Sequence, residues 1–145
     1  LFNNTGNDAP LIYSKFSSLR FDEVFVSHTR SEGDCAVLCV RDQSQFTILN
    51  SEFRDNFAQG YGGVIEISDS KESKIENTKF ISNEAEKGGA IFSRSKNRLT
   101  IEKSYFAKNK AILGGTAIYF IDSNLHIENS LFEQNICRTC GGMIA

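Results

Sequence analysis

The chain has 145 residues and a formal net charge of −2. A chain of this length can bury one sizeable core. Its nearly balanced charge and dispersed lysines exclude the basic surface of a nucleic-acid-binding protein. No apolar run approaches the length of a membrane span, and no signal peptide is evident. We therefore expect no nucleic-acid partner and no membrane-spanning segment here.

The first 45 residues carry a repeat in weak form. Phe2 is followed by Thr5 three positions later, and Phe25 is followed by His28 at the same distance. Val37 lies 12 residues after Phe25, an offset that recurs further along the chain. We predict degenerate coils over residues 1–45, with His28 in the place that asparagine takes in the later copies.

Residues 46–145 repeat a Phe-x-x-Asn motif in four clear copies. The copies are spaced 27, 26 and 26 residues apart, at Phe53–Asn56, Phe80–Asn83, Phe106–Asn109 and Phe132–Asn135. A glycine pair follows each copy, at Gly62-Gly63, Gly88-Gly89, Gly114-Gly115 and Gly141-Gly142. An isoleucine comes 11 or 12 residues after each Phe, at Ile65, Ile91, Ile118 and Ile144. Self-similarity at a fixed period indicates a stacked-repeat protein.

The segments around each motif have the pattern of short strands. An isoleucine lies five residues ahead of each Phe, at Ile48, Ile75, Ile101 and Ile127. Leu99 and Leu125 lie two residues earlier still, which gives the period-2 alternation of a strand with one buried face. No stretch keeps the apolar stripe of a helix. Two or three short strands in about 26 residues match one coil of a parallel β-helix. The sequence thus predicts an all-β solenoid of about five to six coils, continuous over residues 1–145.

Stacked coils place equivalent residues in columns along the axis, about 4.8 Å apart. The four Phe of the motif would form an internal aromatic column, Phe53, Phe80, Phe106 and Phe132. The four Asn would form an inward-facing turn column in which each amide donates to one coil and accepts from the next, Asn56, Asn83, Asn109 and Asn135. A third column would hold the hydroxyl side chains Ser51, Thr78, Ser104 and Ser130.

An outer column of carboxylates is also predicted, at Glu76, Glu102 and Glu128. Like charges at about 5 Å repel each other, so either a bound cation or neighbouring lysines must relieve them. Lys79 and Lys103 are close in sequence. The sequence leaves these two alternatives open, and we predict no metal or cofactor.

The repeat resembles that of the chlamydial polymorphic outer membrane proteins, a family with repeated Phe-x-x-Asn and Gly-Gly-Ala-Ile motifs. The second motif reads Gly-Gly-Ala-Ile at Ile91, with variants ending at Ile65, Ile118 and Ile144. Large surface proteins of ciliates have similar repeats with a Cys-x-x-Cys insertion, which resembles Cys137-Arg-Thr-Cys140. The resemblance implies a right-handed, pectin-lyase-like β-helix displayed outside the cell for adhesion or surface architecture.

The four cysteines favour disulfide chemistry over one zinc site. Cys35 and Cys39 precede Cys137 and Cys140 by four coils, roughly 19 Å at sheet spacing, and bonds of about 2.3 Å cannot join all four. We predict a Cys137–Cys140 disulfide and an oxidising compartment. Cys39 aligns with Ile67 and is expected to be a core thiol. Cys35 and Cys39 cannot pair if both lie in one extended strand, which would leave Cys35 free or paired elsewhere.

The predicted location is extracellular or at the cell surface, reached through the secretory pathway. Asn3-Asn4-Thr5 is a glycosylation sequon, so Asn3 is a candidate acceptor in a eukaryotic secretory pathway.

Function is predicted to be structural or adhesive, without catalysis. Glycan-degrading sites need clustered carboxylates, and the aspartates here are isolated in sequence. The alternative is that these are non-catalytic coils of a polysaccharide lyase or hydrolase whose active site lies elsewhere. Neither end shows an obvious cap, so we expect an excerpt of a longer solenoid. Its expected partners are further coils of the same chain, other protein subunits, or host or matrix glycans and proteins.

Overall fold

The computed structural model describes residues 10–139 and 142–145, and within them the chain forms 20 strands and five coils. The first coil contains β1 (Ile12–Lys15), β2 (Ser18–Asp22), β3 (Phe25–Ser27) and β4 (Arg30–Ser31). The second contains β5 (Leu38–Arg41), β6 (Gln45–Leu49), β7 (Glu52–Arg54) and β8 (Phe57–Ala58). The third contains β9 (Ile65–Ser68), β10 (Glu72–Glu76), β11 (Lys79–Ile81) and β12 (Glu84–Lys87). The fourth contains β13 (Ile91–Arg94), β14 (Arg98–Glu102), β15 (Tyr105–Ala107) and β16 (Lys110–Gly114). The fifth contains β17 (Ile118–Ile121), β18 (Asn124–Glu128), β19 (Leu131–Glu133) and β20 (Ile136–Cys137).

Equivalent strands of successive coils pair in parallel and form four five-stranded sheets. Sheet A consists of β1, β5, β9, β13 and β17, and sheet B of β2, β6, β10, β14 and β18. Sheet C consists of β3, β7, β11, β15 and β19, and sheet D of β4, β8, β12, β16 and β20. The predicted all-β parallel solenoid is therefore confirmed, with five coils in the described residues.

The core is the space enclosed by the four sheets. Alternate residues of each strand face it, so that Ile65 and Ile67 of β9 and Ile75 of β10 are at most 1% exposed. Burial of such side chains stabilises a fold by about 1.5–3 kcal/mol each.

The corners between sheets A and B, B and C, and C and D are made by residues with positive φ. In the third coil these are Asp69, Asn77 and Ser82, with φ between 48° and 55°. The corner from sheet D to sheet A uses glycine instead, as at Gly88 with a φ of 63°. One left-handed residue turns the chain sharply without leaving the coil plane, which keeps strands short. Each coil thus has four strands, where the sequence predicted two or three.

The first coil is shifted by one residue from the predicted alignment. Val26, not Phe25, lies in register with Phe53, and the side chain of Phe25 is 40% exposed on the outside. Thr29, not His28, takes the asparagine position, because the Thr29 N–H donates to Asn56 Oδ1 at 3.1 Å.

In residues 10–139 and 142–145, no helix has the length and apolar character needed to span a bilayer.

Candidate functional site

The four motif phenylalanines lie in register in sheet C. Phe80 pairs with Phe53 on one side and with Phe106 on the other, and Phe106 pairs with Phe132. Their ring centroids are 5.3, 4.7 and 4.7 Å apart in chain order, and the rings are nearly parallel. The column fills the core and offers no reactive group.

The four motif asparagines form a directional amide ladder. Asn56 Nδ2 donates to Asn83 Oδ1 at 3.0 Å, and the same two atoms of the next pairs meet at 3.1 and 3.0 Å, up to Asn135. Each Oδ1 also accepts the backbone N–H of the preceding Asn, at 3.0–3.1 Å. Asn83 and Asn109 have no exposed surface. Their polar groups are used inside the protein and cannot contact a ligand.

The hydroxyl column caps the next corner in the same way. Thr78 Oγ1 accepts the Ser51 N–H at 3.4 Å, and Ser104 Oγ accepts the Thr78 N–H at 3.2 Å. Ser130 Oγ in turn accepts the Ser104 N–H at 3.1 Å. These hydroxyls satisfy backbone groups that the bend would leave without a partner.

The carboxylates of Glu76, Glu102 and Glu128 are in register on the outer face of sheet B. Lysines relieve their repulsion, because Lys74 Nζ lies 3.0 Å from Glu76 and 3.1 Å from Glu102. Lys103 Nζ lies 3.5 Å from Glu76. Hydrogen bonding to Lys74 lowers the pKa of Glu76. Of the two alternatives, the arrangement favours neighbouring lysines over a cation, through Lys74 and Lys103 and not Lys79.

The outer face of sheet A holds a buried carboxylate that the sequence did not single out. Glu66 points away from the core residues Ile65 and Ile67, yet its side chain is 0% exposed. Arg41 of the second coil donates to Glu66 Oε2 through Nη2 at 2.8 Å and through Nε at 3.1 Å. Arg94 Nη2 of the fourth coil lies 3.1 Å from Oε1. Glu66 therefore joins three coils through one side chain.

A second carboxylate extends this cluster. Asp34 Oδ2 lies 3.8 Å from Arg41 Nη2, and Asp34 Oδ1 accepts the Tyr61 N–H at 3.1 Å. Two carboxylates and two guanidinium groups thus meet where the sequence indicated isolated acids. The partners are about one coil apart in sequence, so only the repeat alignment could have brought them together.

Burial and pairing oppose each other in this cluster. Loss of solvation raises the pKa of Glu66, and Arg41 and Arg94 lower it less than burial raises it. For Arg41, burial lowers the pKa, but the charge of Glu66 and its hydrogen bond raise it further. The cluster is a closed ion-pair network, and Glu66 has no path to a solvent-borne substrate.

The cysteines correct one prediction. Cys35 and Cys39 form a disulfide with Cα atoms 5.8 Å apart, so Cys39 is not a thiol and Cys35 is not free. The two do not lie in one extended strand, because Cys35 has a φ of 37° and belongs to the turn before β5. Cys39 is buried but lies in register with Glu66 on the outer side of sheet A, while Val40 is in register with Ile67.

Two other predicted features involve residues outside the described part of the chain. Cys140 is one partner of the predicted Cys137–Cys140 disulfide, and Asn3 is the predicted glycosylation site. Both remain predictions.

A second aromatic column lies over the glycine corners. Tyr61 stacks on Phe92 with centroids 4.6 Å apart, and Phe92 stacks on Tyr119 at 5.4 Å. Lys87 Nζ lies 5.6 Å from the Tyr61 ring and 5.4 Å from the Tyr119 ring. The sequence signal was weak because these aromatics do not share one offset from the motif. Phe92 is only 4% exposed, so the column mainly covers backbone.

The comparisons with known proteins agree with this architecture. A model of the right-handed β-helix region family matches residues 5–144. The chain belongs to this family. No curated protein and no solved structure matches it.

Proposed function

We propose that this chain is a structural module of an extracellular or cell-surface β-helix, which assembles or adheres without catalysis. The observation that carries the proposal is the closed state of its buried polar groups. The Asn ladder is used within the coils, and Glu66 is held between Arg41 and Arg94. A catalytic carboxylate must instead reach a substrate within hydrogen-bond distance.

Two further features support this proposal. A Cys35–Cys39 disulfide suits an oxidising compartment. The repeated Phe-x-x-Asn and Gly-Gly-x-Ile motifs resemble those of chlamydial polymorphic outer membrane proteins and ciliate surface proteins, which supports a pectin-lyase-like surface solenoid. Its partners would be further coils of the same chain, other subunits, or host or matrix glycans and proteins that contact the outer faces.

One observation favours the alternative, a segment of a polysaccharide lyase or hydrolase. Asp34, Arg41, Glu66 and Arg94 place two acids and two cations on one outer face. Such a grouping is typical of sites that bind acidic sugars. The complete burial of Glu66 argues against it here.

The two candidates differ in turnover. The 145-residue chain is incubated with acidic and neutral polysaccharides, with and without calcium, and new reducing ends and unsaturated products are measured. Glu66→Gln is compared with Glu86→Gln, a matched change at a half-buried strand position outside the cluster. We expect no turnover in any variant. Turnover that Glu66→Gln abolishes and Glu86→Gln preserves would refute the structural function.

A further inference from the structure

We propose that Cys35, Cys39 and Glu66 form a Zn²⁺ site when the Cys35–Cys39 disulfide is reduced. The two Sγ atoms and a carboxylate oxygen of Glu66 all lie within 4.8 Å of one another. All three residues are buried, at 0%, 3% and 0% exposure. This site is distinct from the four-cysteine arrangement, which the coil spacing excludes.

The donor set and its spacing suit zinc. Thiolates and a carboxylate are among the usual zinc ligands, at about 2.3 Å for sulfur and about 2.0 Å for oxygen. Tetrahedral geometry then places the ligand atoms about 3.5–3.8 Å apart. That separation falls within the observed 4.8 Å limit, so side-chain rotation at the two cysteines is sufficient. Water would fill the fourth position.

Glu66 also has a coordinating atom to spare. Arg41 donates its hydrogen bonds to Oε2. Oε1 accepts no hydrogen bond, although the guanidinium of Arg94 lies 3.1 Å away and balances its charge. A buried carboxylate oxygen without a hydrogen bond is unusual in a folded protein and requires an explanation. Its lone pairs are available to a metal ion.

The charge balance of the cluster survives metal binding. Asp34 and Glu66 are matched by Arg41 and Arg94. A Zn²⁺ ion with two thiolates adds no net charge to this group. The metal therefore avoids the penalty of an uncompensated charge in a buried site.

The chemistry has two steps. A dithiol reductant supplies two electrons and two protons, the Cys35–Cys39 S–S bond breaks, and the reductant closes its own disulfide. Zn²⁺ then binds both sulfurs and Glu66, and the two thiol protons pass to solvent. The turn before β5 would thus be cross-linked by sulfur under oxidising conditions and by zinc under reducing conditions.

The test uses the 145-residue chain carrying Cys137→Ser and Cys140→Ser, so that only one cysteine pair remains. The protein is reduced with a phosphine, which gives two thiols and a phosphine oxide, and is titrated with Co²⁺ as a spectroscopic probe. We expect one Co²⁺ per chain, thiolate-to-cobalt charge-transfer absorption, and its loss when Zn²⁺ is added. The oxidised chain should show no such absorption.

Variants identify the ligands. Glu66→Gln should weaken Co²⁺ binding at least about tenfold, whereas Glu86→Gln should leave it unchanged. Cys35→Ser should abolish charge-transfer binding and serves as the second variant if Glu66→Gln does not fold, as judged by circular dichroism. Absence of charge-transfer absorption from the folded, reduced chain would overturn the proposal. So would unchanged affinity in folded Glu66→Gln.

Discussion

At the scale of the residue, the amide of Asn83 shows how one side chain can hold three coils. Its Oδ1 accepts from both the backbone N–H and the Nδ2 of Asn56. Its Nδ2 donates to the carbonyl of Phe53 at 3.0 Å and to Asn109 Oδ1 at 3.1 Å. No solvent reaches these groups, since Asn83 is 0% exposed. Removing the amide leaves buried partners that water cannot satisfy.

We expect Asn83→Ala to lower the free energy of unfolding by roughly 1–3 kcal/mol, because buried donors lose their acceptor. Urea denaturation of the 145-residue chain measures this loss. Asn135→Ala is the matched control, since Asn135 occupies the half-buried end of the same ladder. Its loss should be smaller. Equal losses at the two positions would show that burial does not govern the energy of the ladder.

Glu66 should give the chain a component of stability with an unusual pH dependence. Burial raises the pKa of its carboxyl in the folded state above the value in the unfolded chain. Between these two pKa values the unfolded state binds fewer protons than the folded state, so this contribution is fully present below the unfolded pKa, about 4.3, and is lost as pH rises through the folded pKa.

Glu66→Gln removes this titration. The difference in thermal midpoint between the parent chain and Glu66→Gln should therefore shift against the parent as pH rises from about 4 to 7. Differential scanning calorimetry at several pH values measures it, with Glu86→Gln as the control that keeps the parent profile. A shift in favour of the parent over the same range would mean that the two arginines outweigh burial.

At the scale of the element, the glycine corner allows coils to approach closely. A Cβ on Gly63 would lie 2.1 Å from the carbonyl oxygen of Gly89 in the next coil. A Cβ on Gly60 would meet the Asp34 carboxylate at 2.2 Å, but that group ends a side chain that can rotate away. Backbone in a paired ladder cannot move in this way.

We therefore expect Gly63→Ala to destabilise the chain more than Gly60→Ala, by about 1–3 kcal/mol, the usual cost of overpacking. Urea denaturation of the two variants side by side provides the comparison. If the two alanines cost the same, the contact between adjacent glycine corners is not tight.

The strands and columns could be predicted from the sequence because burial repeats the same residue type in each coil. Phe80 and Ile75 have equivalents one period away, and their spacing reveals the coil. The corners could not be predicted, since φ is constrained there but side-chain type is not: Asp69, Ser95 and Asp122 occupy equivalent corners. Outer-face contacts were missed for a related reason, because alternation predicts exposure for a residue such as Glu66.

The shift in the first coil has a physical cause too. Phe25 matches the motif by residue type, but the register of β3 with β7 points Val26 inward. Val26 is smaller than phenylalanine and leaves room. An apolar cavity of about 380 Å³ lies there, lined by Phe21, Val26 and Phe53 among others.

At the scale of the whole molecule, each coil contacts only its neighbours, so stability is a sum of terms for single coils and for their interfaces. Phe80, in the third coil, stacks on rings from both sides and is 0% exposed. Phe132, in the fifth coil, stacks on one side only within the described residues and remains partly exposed. The middle of the rod should therefore be its most stable part.

This gradient predicts that equal truncations have unequal effects. Phe80→Ala should cost about 3–5 kcal/mol, as for a large side chain removed from a close-packed core, and it should lower the midpoint of unfolding for all five coils. Phe132→Ala should cost less and loosen mainly the fifth coil. Amide hydrogen exchange measured by mass spectrometry separates these outcomes, since local opening appears only in peptides from the affected coils. Uniform acceleration across the chain in Phe132→Ala would mean that the 145-residue solenoid opens as one cooperative unit, and that its coils are not the independent increments from which a long, rigid surface rod would be built.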